Sequence, residues 1–230
     1  MPSLLEGEGV GVHLARRYLL AMLEGDRSRA RDLLVGAVKA GDLTVPEIYR
    51  AVIRPAHAEV GRMWQMNEVG ISQEHYATAN AEWIIAQLEP LAERTARNDM
   101  TVVATSVGGD AHSLGIRMVA DCFEFAGWRA FFLGANTPAR DVVEASLISG
   151  ASLVALSANL CSHARTARAV VHALRQHPET KDIRVIVGGL PFAVAPKLAE
   201  RIGADGTAPD GLAAVELASR IVPRPPSRGV

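Results

Sequence analysis

The chain is short of cysteine, of any surplus charge and of long apolar runs, and each shortage excludes a class of protein. Its two cysteines, Cys122 and Cys161, form no C-x-x-C pair, so free thiols rather than a disulfide framework are expected. Twenty-four basic against twenty-five acidic residues leave a formal charge of -1, and no global field invites nucleic acid or an anionic membrane. No stretch offers a secretory apolar region or eighteen unbroken apolar residues, so a cytoplasmic location away from membranes is expected. There are no internal repeats and no low-complexity segments. Between about Val12 and Arg97 there is also no convincing strand.

What is present fills that first region with helices. Leu14, Tyr18, Leu19 and Met22 recur at helical spacing, as do Ala30, Leu33, Leu34, Ala37 and Val38, and Gly25-Asp26 joins the two runs. Thr44-Val45-Pro46-Glu47 reads as an N-cap, a first-turn proline and an acid at the positive end of a third helix that runs to Trp64. A fourth runs from an N-cap at Ser72 through His75 to Leu91. Short connections between four such helices predict a bundle over 12–97. After the polar stretch Arg94 to Asp99 the period changes. Strands at Met100 to Val107, Arg129 to Leu133, Ala151 to Leu156 and Ile183 to Val187 alternate with helices at Ile116 to Ala126, Ala139 to Ser149, Ala164 to Arg175 and Pro191 to Ile202. A short strand at Asp205-Gly206 and a helix over Gly211 to Ile221 complete a flavodoxin-like (Rossmann-like) α/β domain with a five-stranded parallel sheet over 100–222. Residues 223–230 read as a disordered tail. With 230 residues, 49% hydrophobic and 21% charged, the chain accommodates both domains.

The stretch that organises the second domain is Gly108-Gly109-Asp110-Ala111-His112-Ser113-Leu114-Gly115, where a strand opens through glycines into a helix. In an open parallel sheet, ligands bind outside the carboxyl ends of the strands, so His112 is expected to face a crevice. A carboxylate two residues from an imidazole can fix its tautomer and leave the other nitrogen for a metal, or serve acid/base chemistry. The plainer reading makes Asp110 a helix cap and His112 an ordinary loop histidine. Spacing favours a site. Ser157 ends the third strand and Gly188-Gly189 the fourth, so all three features line one rim.

This set resembles the cobalamin-binding domain of methionine synthases, mutases and corrinoid carriers, with the pattern D-x-H-x-x-G, then S-x-L, then G-G. Here it is Asp110-x-His112-x-x-Gly115, then Ser157, then Gly188-Gly189, with Asn159 in the place of the usual leucine. The resemblance implies that His112 replaces the cofactor's own base beneath cobalt and that Asp110 orients it. It also implies that the displaced nucleotide tail runs past Ser157 to Gly188 and Gly189, with Ser113, Gly115 and Asn159 as further cofactor-binding residues. Asn136-Thr137-Pro138 resembles the loop after the family's second strand, though turn chemistry explains it as well. His163 reads as a solvated loop histidine, the alternative being an approach to the corrin edge or to a second ligand.

Trp64, nine residues, then Glu74-His75 is similar to the helical cap of cobalamin photoreceptors. That resemblance implies that Trp64 covers the upper axial group while Glu74 and His75 contact the adenosyl of adenosylcobalamin. An indole suits flat apolar cover, and a carboxylate accepts hydrogen bonds from ribose hydroxyls. The alternative makes Trp64 a core anchor and Glu74-His75 a solvated helix start. Two departures stand out. Gln65 replaces the histidine that follows the tryptophan in light-responsive repressors, so His75, His57 or water would take the upper position after photolysis. Those repressors begin with a helix-turn-helix domain, for which the eleven residues before the first helix leave no room, so direct nucleic-acid binding is not expected. The reading is therefore a cobalamin light sensor acting through a homo-oligomer or a partner protein, with a bilin such as biliverdin as a conceivable second chromophore. The alternative is a corrinoid methyl carrier of a methyltransferase system.

Overall fold

The computed structural model describes residues 7–223 and divides into two compact units after Glu93. The expected tail over 223–230 lies outside the described residues except for Pro223.

The first unit is helical throughout. Helices α1 (Val10–Leu23) and α2 (Arg27–Ala40) meet at Asp26, whose side chain accepts the Arg29 N–H as an N-cap. Gly41 ends α2 in the left-handed conformation. The third helix is a composite: α3 (Val45–Ile48), a π turn (Tyr49–Ile53) and α4 (Arg54–Gln65). Pro55 has no N–H to give the preceding turn, and the wider π turn lies just ahead of it. A Cβ on Gly11 would lie 2.9 Å from the Ala51 Cβ, so α1 approaches this turn as closely as a glycine allows. Helix α5 (Ile71–Leu88) starts earlier than the sequence suggests, because Gln73 reaches back to accept the Gly70 N–H at 2.9 Å and takes over the capping assigned to Ser72.

Polar residues 94–99 pack with the second unit. Thr95 N–H bonds Phe125 O, Asn98 N–H bonds Gly127 O and Arg97 bonds Trp128 O. The sheet contains β1 (Thr101–Val107), β2 (Arg129–Thr137), β3 (Leu153–Ser157), β4 (Arg184–Gly188) and β5 (Gly206–Thr207). All pairs are parallel, in the order β2-β1-β3-β4-β5. Helices α6 (Leu114–Phe125), α7 (Ala139–Ser149), α8 (His163–Gln176) and α11 (Gly211–Ile221) link or follow the strands. Two cores fill the two sides of the sheet, one around Val154, Leu156, Val170 and Leu174, the other around Phe123, Trp128, Leu153 and Ala218. β1 is buried along its whole length, as a central parallel strand is.

Two expected elements differ. The helix over Pro191 to Ile202 is split into α9 (Leu190–Val194) and α10 (Lys197–Arg201), because Ala195, preceding Pro196, takes an extended φ of -131°. β2 runs on to Thr137, with register shifts against β1 between Ala104 and Val107. Among the described residues no helix is long and apolar enough to cross a membrane.

Candidate functional site

The strand order reverses direction at β1: β2 lies on one side and β3 on the other. The loops after β1 and β3 therefore leave the sheet side by side with a crevice between them, the position where doubly wound sheets bind ligands. The register places Ser157 beside Ser106 on one side and Gly188 on the other, so the three strand ends expected to form a rim do so.

Asp110 is the centre of that rim. Its carboxylate is fully buried. Oδ1 accepts the His112 Nδ1–H at 2.7 Å and the His112 backbone N–H at 3.1 Å, while Oδ2 accepts the Asn159 N–H at 2.6 Å. A buried carboxylate is costly without donors, and here both oxygens have them. Since a carboxylate accepts, Nδ1 is the nitrogen of His112 that donates in this contact, and in the neutral ring Nε2 then keeps its lone pair. The His112 side chain is 62% exposed, held from behind and open in front. Asp110 is thus the orienter of His112 rather than a helix cap, and the N-cap position of α6 belongs to Ser113. The exchange of the usual leucine for Asn159 is harmless to this contact, which uses the main chain.

Four further residues hold the loop, and the sequence reading did not single out their role. The Ser106 hydroxyl donates to His112 O. Asn136, at φ +56°, accepts the Gly109 N–H through Oδ1 at 2.6 Å, and its own N–H bonds Asp110 O. The Thr105 and Thr137 hydroxyls pair at 2.7 Å beneath them. The signal was available: Thr105 and Ser106, adjacent near the carboxyl end of the central strand, are buried polar groups that require partners. His163 corrects the expectation of a solvated histidine. It opens α8 with its side chain only 13% exposed and Nδ1 3.3 Å from Asp110 Oδ2.

The glycines divide into two kinds. A Cβ on Gly189, at φ +100°, would stand 2.0 Å from Ala158 O, so this position admits nothing larger. Gly115 has nothing within 4 Å of the site of a Cβ.

In the helical unit, Trp64 is 46% exposed, and Met66, two residues on, and Ile71, at the start of α5, are exposed as well. Trp64 is therefore not a core anchor. Glu74 accepts the Thr78 hydroxyl at 2.9 Å, and His75 is solvent-facing with Nε2 3.7 Å from Glu74. His57 points instead at the Tyr18 hydroxyl, 3.2 Å away, and burial pulls its pKa down to about 4 while raising that of Tyr18. An imidazole turned into the bundle this way is not offered to a ligand. Cys122 and Cys161 are free; burial pushes the Cys122 thiol up to about 12, whereas Cys161 is exposed. Among the described residues no group of three or more His, Cys, Asp or Glu is placed to hold a metal ion by itself.

Two family models, each described as a B12 binding domain, match residues 100–216 and residues 14–89. Dimethylamine corrinoid protein 3 of Methanosarcina acetivorans is 26% identical over 217 residues, spanning 88% of this chain and all of that protein. A corrinoid protein of Desulfitobacterium hafniense is 26% identical over 206 residues, 88% of this chain and 94% of its own. The solved structure of Methanosarcina barkeri monomethylamine corrinoid protein has the same fold, with a TM-score of 0.80 over 91% of this chain and 99% of that one at 21% identity.

Proposed function

The chain belongs to the B12 binding domain family, and on that premise we propose that it is the corrinoid-carrying component of a methyltransferase system, with His112 as the lower ligand of cobalt. The observation that carries this reading is the 2.7 Å contact between Asp110 and His112 Nδ1, which turns a lone nitrogen outward from the rim of the sheet. A single imidazole suits a metal that brings most of its own ligands, and a carboxylate on the far nitrogen raises its basicity. The open space at Gly115 and the tight turn at Gly189 are likewise what a large ligand lying against this rim requires.

A bound corrinoid supplies a cobalt centre able to take up and give up a methyl group. The chain's residues do the rest: Asp110 fixes the His112 tautomer, Asn136 and Ser106 fix the loop, and Ser157, Asn159, Gly188 and Gly189 form the path for the nucleotide tail. The names of the relatives, dimethylamine corrinoid protein and corrinoid protein, support the carrier over the light sensor, and they extend to neither adenosylcobalamin nor a bilin. Partner proteins that load and unload the methyl group follow from this reading. The light sensor stays as the second reading because Trp64 is an exposed indole and Glu74-His75 follow it after nine residues, the expected pattern.

One set of measurements tests both. The purified protein and its His112→Ala variant are loaded with methylcobalamin and adenosylcobalamin, and spectra and hydrodynamic size are recorded before and after green light. A carrier retains methylcobalamin, loses most affinity in His112→Ala, and keeps its size in the light. Preference for adenosylcobalamin, weakened by Trp64→Ala or Glu74→Ala and accompanied by a light-driven size change, would establish the sensor instead. An unchanged spectrum in His112→Ala would overturn the ligand assignment in either reading.

A further inference from the structure

Asp110 carries a second histidine. Oδ1 is committed to His112, but Oδ2 lies between the Asn159 N–H at 2.6 Å and His163 Nδ1 at 3.3 Å. His163 Nδ1 is buried and makes no hydrogen bond, the one such side-chain atom among the described residues. A buried imidazole nitrogen with no partner is costly and calls for an explanation. The group it faces is the oxygen of a carboxylate whose other oxygen orients His112. The ring stands at ion-pair distance but off the line of a hydrogen bond, so it is the His163 ring that has to turn to close the contact.

We propose that His163 is a positioning residue for His112, acting through Asp110. The argument is geometric. A carboxylate pivots about its last torsion, and Oδ1 stays aimed at His112 only while Oδ2 is held on the opposite side. The Asn159 N–H holds it from the loop after β3, and His163, fixed by the first turn of α8, holds it from the helix. Both ends of the segment from Asn159 to His163 therefore converge on one oxygen. His163 sets how firmly Asp110 is clamped, and hence how completely His112 is kept in the tautomer that leaves Nε2 free. The consequence for a corrinoid rests on the reading of His112 as its ligand; the effect on the His112 tautomer does not.

The test begins with the full-length protein free of cofactor. Ring 15N resonances of His112 are compared in wild type, His163→Asn, His163→Gln and His163→Leu. Asparagine can place an amide N–H near the position of Nδ1, so His163→Asn should keep the single Nδ1–H tautomer of wild type. Leucine has no donor, and glutamine carries its amide beyond that position, so both should show a mixture of tautomers. In hydroxocobalamin binding, His163→Leu and His163→Gln should be weaker by up to about tenfold, the low end for outer partners of a ligating histidine, and His163→Asn should match wild type. His112 resonances identical to wild type in a folded His163→Leu or His163→Gln would overturn the proposal, as would an asparagine variant as impaired as the glutamine one. If wild type itself binds hydroxocobalamin without His112 on cobalt, the reading of His112 as the cobalt ligand fails while the tautomer comparison still decides the role of His163.

Discussion

Gly115→Ala separates a glycine kept for the fold from one kept for a ligand. Gly115 is the second residue of α6, its φ lies outside the left-handed region, and an added Cβ meets no atom within 4 Å. Nothing in the chain opposes alanine there, which restricts the unfolded state and is the better helix former. The gain is about 0.5–1 kcal/mol. For a chain of this length that raises the midpoint of thermal unfolding by roughly 1–4 °C. The same methyl would project into the open space at the first turn of α6, which the proposed function reserves for the corrinoid, and a loss of about tenfold in hydroxocobalamin affinity, or about 1.4 kcal/mol, is expected. Calorimetry of the cofactor-free variant and a binding titration give the two numbers. A variant less stable than wild type, or one that is more stable and binds hydroxocobalamin equally well, refutes the reasoning.

Gly189→Ala should do the reverse and cost stability outright, by about 3 kcal/mol or more, because its Cβ would strike the backbone of Ala158 at a positive φ; urea unfolding reads it directly. Asp110→Asn keeps the shape but removes the charge that holds His112, so hydroxocobalamin affinity should fall 10- to 100-fold, about 1.4–2.8 kcal/mol, and a wild-type affinity would reduce Asp110 to a structural acid. The partly buried His57 resists protonation in the folded state, with a pKa of about 4, whereas the unfolded chain protonates at about 6.5. The unfolded state thus binds more protons in that window, and stability should decline as pH falls from about 6.5 to 4, by at most about 3 kcal/mol; a His57→Gln variant should show a flatter profile over the same range in urea titrations.

The sequence made the sheet readable because four of its five parallel strands carry a short apolar run, and the rim because Asp110, His112, Ser157 and Gly188-Gly189 stand where those runs end. It could not show which partner each rim residue takes. Ser106 and Thr105 looked like part of an apolar strand, and Asn136 like turn chemistry, because their partners come from other loops. His163 was misjudged for the same reason: nothing local to Cys161-Ser162-His163 indicates that Asp110 lies across the crevice. The split at Ala195-Pro196 was legible, since a residue before proline avoids the helical region, but the apolar period on either side masked it. The choice between carrier and sensor rested on Trp64, Glu74 and His75, whose exposure is consistent with either role.

The hydrogen bond from Asn159 to Asp110 joins residues 49 apart in the chain. Neither loop has its final shape until β3 pairs with β1, so the orientation of His112 depends on the sheet rather than on its own segment. Contacts that span so much chain form slowly. A nascent or locally opened chain exposes an imidazole with no fixed tautomer, a poor binder of any metal. Uptake of the cofactor by a refolding population should therefore lag behind helix formation and follow the completion of the sheet, which makes the colour of the bound corrinoid a clock for the last stage of assembly.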